Sequence, residues 1–426
     1  MLEIAAAISL GLFANVIGQP TEQPEVKLLS WQDTQFFQLP DEPDPVAERV
    51  VGQYLNDLAA MGYNADLQGV WLQSDLTRLA THQGQKLHSA ASLTKMATTL
   101  VALKKWGADY QFETRFYAKG EIEGGVLRGD LVVTGSGDPA FVWEEAIAVG
   151  NVLNEIGIRK VTGNLVISNN FYMNFYPNPA VAAEKLKEAL NSKQWSSEAR
   201  VQHAKMPPGT GSPVVEIGGG IQINNDRPDS LLPLLQHRSP PMSQIIKQMN
   251  IYSNNMIAEV LAQLAGGGDA IAQIAAETAG VPREEIQLIN GSGLGVANRM
   301  SPRMATAIAI AIDRLLQGQS LGIADLFPVA GRDKLGTMLD RRLPPNTAIK
   351  TGTLAQVSAL SGILPTQKYG WVWFAILNEG GNISALRVEQ DRVLQRLSQE
   401  WGVDSLPPSA VPDVQWGDPQ RIFRAL

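Results

Sequence analysis

The chain of 426 residues contains no cysteine. Disulfide bridges, thiolate nucleophiles and sulfur-ligated metals are thereby excluded. Histidine is nearly as scarce: His82, His88, His203 and His237 are the whole complement, and none falls in an H-E-x-x-H pattern or another close pair. Zinc hydrolases need such a pair on one helix face, so no metal site is expected. Positive charge is thin and dispersed. With a net charge of −7 and no basic cluster, the chain lacks what a phosphate backbone requires, and nucleic acid is not an expected partner. No mid-chain apolar run is long enough to cross a bilayer. Near the start, Ile4 to Gly18 is apolar and rich in small residues, yet Met1 to Glu3 ahead of it carries no Lys or Arg. This segment reads as an export signal, with a short interfacial or buried helix as the other reading.

What is present suits a globular protein: 44% of residues are hydrophobic and 18% charged. The length allows two domains, or one domain carrying a large insertion. After a Pro-rich stretch at Pro40 to Pro45, apolar residues from Val46 to Met61 recur at helical spacing and Gly62 supplies a stop. Gly69 to Gln73 and Leu79 to His82 read as short strands, and Ser92 to Trp106 as a helix stopped by Gly107. From Tyr110 to about Ser168 the texture turns to β-branched runs broken by glycine. There GDLVVTG (Gly129 to Gly135) and GNLVIS (Gly163 to Ser168) echo each other, which two hairpin strands would explain. Asn169 to His237 is loop-rich around one helical run, Ala180 to Leu190. Helices are expected at Met242 to Met249 and Met256 to Ala265, with a polar turn between them. Ala348 to Thr353, Val357 to Leu364 and Trp371 to Asn378 read as strands of one antiparallel sheet, followed by a helix from Ser384 to Trp401. The stretch from Ser405 onward, with four prolines, looks like a tail. The fold class is α/β of the α+β type.

Three short motifs carry chemistry. Ser92-Leu93-Thr94-Lys95 is the only S-x-x-K in the chain and stands where a polar loop enters a helix. Residues three apart share a helix face, so the Lys95 amine can meet the Ser92 hydroxyl. A serine needs a neighbouring base, and lysine serves once burial lowers its proton affinity. Alone the pattern is weak, because a capping serine with a solvated lysine is the commoner meaning. Ser253-Asn254-Asn255 offers a proton-relaying hydroxyl and an amide for a substrate peptide group, though Ser and Asn in such a turn usually only cap a helix. Lys350-Thr351-Gly352-Thr353 lies on an expected strand, where glycine permits close approach and Lys and Thr can bind a carboxylate.

The combination, in this chain order, resembles the active-site serine DD-peptidases and penicillin-binding proteins. The flanks HSAASLTKMATTLVAL, GDLVVTGSGDPAF, VTGNLVIS, SNNMIAE, GSGLGVANRMSPR and KTGTLAQVSALSG are similar to the class C low-molecular-mass members, the D-Ala-D-Ala carboxypeptidase/endopeptidase family. This resemblance spans most of Gly69 to Asn378. It implies a catalytic domain of helices around an antiparallel sheet in two parts, 46–108 and 240–402. A β-rich domain at 109–239 would be inserted between them, a signal or anchor segment and linker would occupy 1–45, and 403–426 would be a Pro-containing tail. It also implies that Ser92 attacks, Lys95 acts as base and Ser253 relays a proton, without metal or organic cofactor. Asn255, Lys350, Thr351, Gly352 and Thr353 would bind substrate, a peptidoglycan stem peptide, and β-lactams would be covalent inhibitors. Asp138, in GSGDPAF, would meet the free amine of a diaminopimelate side chain, unless it merely shapes an Asp-Pro turn. The expected placement is periplasmic or otherwise exported, with peripheral membrane contact.

Two departures stand out. Where relatives read D-G-S-G-L-S-R, this chain has Asn290-Gly291-Ser292-Gly293-Leu294-Gly295-Val296, which puts stem-peptide carboxylate recognition in question. Ala90-Ala91-Ser92 also replaces a usual proline. Rival readings are a peptidoglycan-binding relative with negligible turnover and, through the Tyr252-Ser253-Asn254 register, a serine β-lactamase or esterase.

Overall fold

The WVWFAILN run makes the central layer because its alternate residues face two different cores. The computed structural model describes residues 43–75, 77–225 and 231–425. In the strand Gly370–Glu379, Val372, Phe374 and Ile376 enter one cluster, while Trp373, Ala375 and Leu377 enter another, as a period of two demands. The first cluster is closed by the helices Pro45–Ala60 and Ile383–Trp401. The second is closed by Thr94–Trp106, Met242–Ile251, Asn255–Ala265, Gly267–Ala279 and Pro302–Leu316. A five-stranded antiparallel sheet therefore lies between two helical layers. Its order is Ala348–Leu354, Val357–Thr366, Gly370–Glu379, Gln68–Ser74, Thr77–His82. The pairing of Gln68 with Asn378 joins the strands that follow the first helix to those that precede the last one in a single sheet. This is the expected α+β class with helices around an antiparallel sheet.

Local signals place the helix ends. Asp44 accepts the Ala47 amide at 2.9 Å ahead of Pro45, a capping residue followed by a proline that needs no donor. Gly62, at φ +87°, turns the chain out of that helix.

Between the helices Thr94–Trp106 and Met242–Ile251 lie seven of the eight strands described in a second sheet, which has its own core. Here the echoing segments are not a hairpin. Leu131, Val132 and Val133 pair in parallel with Leu165, Val166 and Ile167. Parallel neighbours need a crossover, and the unanticipated helix Trp143–Glu155 supplies it, burying Trp143, Ala146, Ile147, Val149, Val152 and Leu153 against the sheet.

The proline-containing C-terminal stretch is likewise more than a tail. Ile422–Arg424 pairs antiparallel with the strand Leu232–Arg238 and extends the second sheet. Arg421 also forms an ion pair with Glu145, a fully buried carboxylate that receives His237 Nε2 at 2.8 Å and the Gly417 amide at 3.1 Å. Burial opposes ionisation of Glu145, but the His237 bond and the charges of His237 and Arg421 hold its carboxyl below the usual range. Removing one partner of a buried pair leaves a charge stranded, so Arg421→Ala should cost about 3 kcal/mol in denaturant unfolding. An unchanged midpoint would show that the C-terminal segment is not fastened there.

The apolar segment Ile4 to Gly18 lies outside the described residues. Among the described residues no helix is long and apolar enough to cross a membrane.

Candidate active site

Ser92 occupies a single 3-10 turn, Ala91–Leu93, immediately before the helix Thr94–Trp106. Ala91 has φ +45°, a left-handed conformation that alanine adopts only at a cost. The tertiary contact that fits this turn comes from Gly293, because a Cβ there would collide with the Ala91 carbonyl oxygen.

The helical spacing of S-x-x-K then acts as expected. Lys95 Nζ is 2.9 Å from Ser92 Oγ, and its two other neighbours are Asn255 Oδ1 and the Ser292 carbonyl oxygen, each at 2.8 Å. Both of those groups can only accept. A neutral Lys95 amine therefore donates to them and turns its lone pair toward the Ser92 hydroxyl. Burial lowers the Lys95 amine to about pKa 7, against the opposing influence of the Glu259 carboxylate.

The second motif is divided between two tasks. Asn254 caps the helix Asn255–Ala265 by accepting the amides of Met256 and Ile257 at 2.9 and 3.1 Å. That leaves Ser253, at φ +51°, and Asn255 free to turn toward the lysines. Ser253 Oγ stands 3.1 Å from Lys350 Nζ, which also donates to the Thr351 carbonyl at 2.8 Å. Lys350 is fully buried, and burial followed by the nearby Lys95 charge pushes its amine well below the usual range.

The third motif lies on the edge strand Ala348–Leu354, so half of its backbone groups have no strand to pair with. A Cβ at Gly352 would come within 2.9 Å of the Ala90 carbonyl oxygen and 3.1 Å of the Ser92 amide nitrogen. Glycine there is what lets the strand close on the serine turn. Thr351 is buried, while Thr353 is exposed and accepts Arg387 Nη2 at 2.8 Å. The structure thus bonds Lys95 to Ser92 and Asn255, and Lys350 to Ser253, and sets the two groups near enough for the Lys95 charge to act on Lys350, with Gly352 against the serine turn and Thr351 and Thr353 on the same strand.

Asp138 is placed differently from the expected substrate contact. It is 2% exposed, Oδ1 accepts the Ala140 amide at 2.8 Å and Oδ2 has no hydrogen-bond partner among the described residues. Burial pushes its carboxyl up to about 7, against the charge of His237. Its surroundings are those of the Glu145, His237 and Arg421 cluster. The Asp-Pro sequence makes a turn whose side chain is directed inward.

The altered Asn290–Val296 segment is ordered by its own side chains. Asn290 Oδ1 accepts the Gly293 amide at 2.9 Å and its Nδ2 donates to Leu294 O at 2.8 Å. Leu294 and Val296 are left 62% and 66% exposed. Sequence reasoning singled out the segment that begins at Asn290 but did not find Glu259 or Arg387. Glu259 had a signal, since it stands four residues after Asn255 and so on the same helix face; Arg387 had none.

A family model for the D-Ala-D-Ala carboxypeptidase 3 (S13) family matches residues 55–197 and 210–400. The chain belongs to this family. It is 31% identical over 195 residues to the D-alanyl-D-alanine carboxypeptidase of an Actinomadura species, covering 40% of this chain and 34% of that one. It is 30% identical over 94 residues to the D-alanyl-D-alanine carboxypeptidase DacB of Haemophilus influenzae, covering 22% and 20%. The matches to these two curated relatives thus span about a fifth to a third of their lengths. Among solved structures, the penicillin-G-acylated predatory endopeptidase of Bdellovibrio bacteriovorus, in complex with an immunity protein, superposes with a TM-score of 0.71 at 20% identity. That superposition covers 84% of this chain and 99% of the other, a likeness of fold.

Proposed function

We propose that this S13-family chain is a serine D-alanyl-D-alanine carboxypeptidase or endopeptidase that cleaves peptidoglycan stem peptides through an acyl-enzyme. The observation that carries the reading is the Lys95 amine, held 2.9 Å from Ser92 Oγ by two groups that can only accept. In the forward step Lys95 takes the Ser92 proton as Oγ bonds to the carbonyl carbon between the two D-alanines. Backbone N–H groups of Ser92 and Thr353 receive the developing oxyanion, each worth about 3 kcal/mol. Ser253 passes a proton to the leaving amine as the C–N bond breaks. Water then attacks the ester and returns the serine. Asn255 holds the substrate amide, and Lys350 with Thr351 and Thr353 receives the terminal carboxylate.

Lys350 sheds its proton readily because it is buried beside Lys95. An arriving carboxylate favours the charged form, so binding draws a proton back onto Lys350. A β-lactam presents a strained amide and a carboxylate in the same relation, and Ser92 would open its ring by the same attack. The division into a catalytic unit of 46–108 and 240–402 and an inserted unit of 109–239 belongs to this proposal. So does placement outside the cytoplasmic membrane, where the substrate lies, with peripheral membrane contact near the N-terminus.

The test is release of D-alanine from a peptide ending in D-Ala-D-Ala. The base must be neutral, so kcat/KM should fall with decreasing pH through an acid limb near 7, the value to which burial brings Lys95. No release at any pH, with tight peptide binding retained, would favour the binding protein without turnover.

A further inference from the structure

Beside Lys95, the segment Gly291–Ser292 lies in the loop between the short strands Ile286–Gln287 and Arg299–Met300. Its carbonyl oxygens face the serine helix: Gly291 O accepts Thr98 Oγ1 at 2.7 Å and Ser292 O accepts Lys95 Nζ at 2.8 Å. Its amides face the opposite way, onto a single carboxylate: Gly291 N and Ser292 N donate to Glu259 Oε2 and Oε1 at 3.2 and 3.1 Å. Gly291 allows this approach, since a Cβ there would collide with Ala258 and Ala262 on the helix that carries Glu259. Glu259 lies one turn beyond Asn255, whose amide oxygen is another acceptor for Lys95. One helix therefore holds the lysine directly through Asn255 and indirectly through Glu259.

We propose that Glu259 is a positioning residue for acylation of Ser92, clamping the Gly291–Ser292 amides so that the carbonyl beside Lys95 holds its amine on the serine and sets how tightly that amine keeps its proton. This rests on the reading of Lys95 as the base. Two physical effects follow from the geometry. Hydrogen bonds that share a peptide group polarise one another, so a carboxylate on the N–H side of Ser292 strengthens the carbonyl on the Thr98 side of the same unit. The carboxylate's negative charge also favours protonated Lys95. Other charged residues on the helices around Lys95 are Lys247, Asp269, Glu277, Arg303, Asp313 and Arg314. Among the described residues the charge that favours protonated Lys95 is that of Glu259, while Lys95 and Lys350 on the edge strand oppose each other's protonation.

Glu259 also lines an open cleft of about 460 Å³ together with Gln263, Gly268, Ile289 and Asn290. Its hold on the loop thus comes from the two hydrogen bonds rather than from close packing, and Glu259→Gln has room to fold. That variant should move the acid limb of penicillin acylation down by about one pH unit. Its rate at pH 8 should fall roughly tenfold to a hundredfold, because the lysine is less well held. The deficit should be smaller at pH 5.5, where more of the variant's lysine is neutral. Glu259→Asp keeps the charge at shorter reach, and should keep the wild-type limb with a lowered plateau.

Titration of the Lys95 Cε–H signals in protein carrying 13C-lysine, assigned with Lys95→Ala, reads the same shift without any turnover. A folded Glu259→Gln protein with an unmoved Lys95 titration would overturn the proposal, as would an Asp variant that shifts as far as the Gln variant. A wild-type protein that is never acylated would strike the function itself, while the titration would still decide the role of Glu259.

Discussion

Incubated with a fluorescent penicillin, the purified protein should take up one label per chain, and Ser92→Ala should take up none. The expectation follows from geometry that the substitution barely disturbs. Ser92 sits in a turn whose backbone is set by Ala91, Gly293 and Gly352, so removing Oγ deletes the nucleophile and leaves the fold intact. Lys95 keeps Asn255 Oδ1 and Ser292 O as partners in the variant. In serine hydrolases, loss of the nucleophile costs on the order of a millionfold, so residual labelling should be undetectable. Intact mass gives the stoichiometry, and a shift by the whole penicillin mass identifies ring opening without loss of a fragment. An adduct that survives in Ser92→Ala would place the nucleophile elsewhere. A wild-type chain that stays unlabelled at high penicillin would turn the reading toward a binding protein that retains the family's fold.

The second large effect is expected at a residue that makes no chemical step. Gly293 has φ +81°, and a Cβ added there would collide with the Ala91 carbonyl oxygen and the Thr94 side chain. Gly293→Ala adds a left-handed alanine, about 1–2 kcal/mol, and a Cβ directed at backbone that cannot yield, because Ala91 is itself in the left-handed region. Either the loop withdraws, taking Ser292 O from Lys95, or the serine turn shifts. Acylation should fall roughly a hundredfold in either case, the usual penalty for ångström-scale misplacement.

Gly295→Ala is the control. Gly295 also has positive φ, +101°, but nothing lies within 4 Å of its added Cβ. It should show strain in a thermal melt and keep acylation within a few-fold of wild type. Equal rates for the two variants would mean that contact between this loop and the serine turn is unimportant.

What the sequence alone determined was the part of the structure whose causes lie within a few residues or within one period. Serine three residues before lysine at the start of a helix brings those side chains onto one face whatever surrounds them. The alternation in Trp371 to Asn378 demands two buried faces, and the structure supplies a helical layer on each. Absent cysteine and sparse histidine narrowed the chemistry before any element was placed.

Tertiary structure decided everything that depends on which distant segments meet. GDLVVTG and GNLVIS look the same as strands in a hairpin or in a parallel pair, and only the helix packed across them selects the latter. A carboxylate such as Asp138 reads alike in a substrate groove and in an interior, and its cluster with Glu145, His237 and Arg421 is assembled from separate stretches of the chain. Glu259 gains its place because a loop some thirty residues later presents two amides to it. Such contacts form only when the burial of apolar faces brings remote elements together, and no local period encodes which backbone groups that burial leaves facing one another.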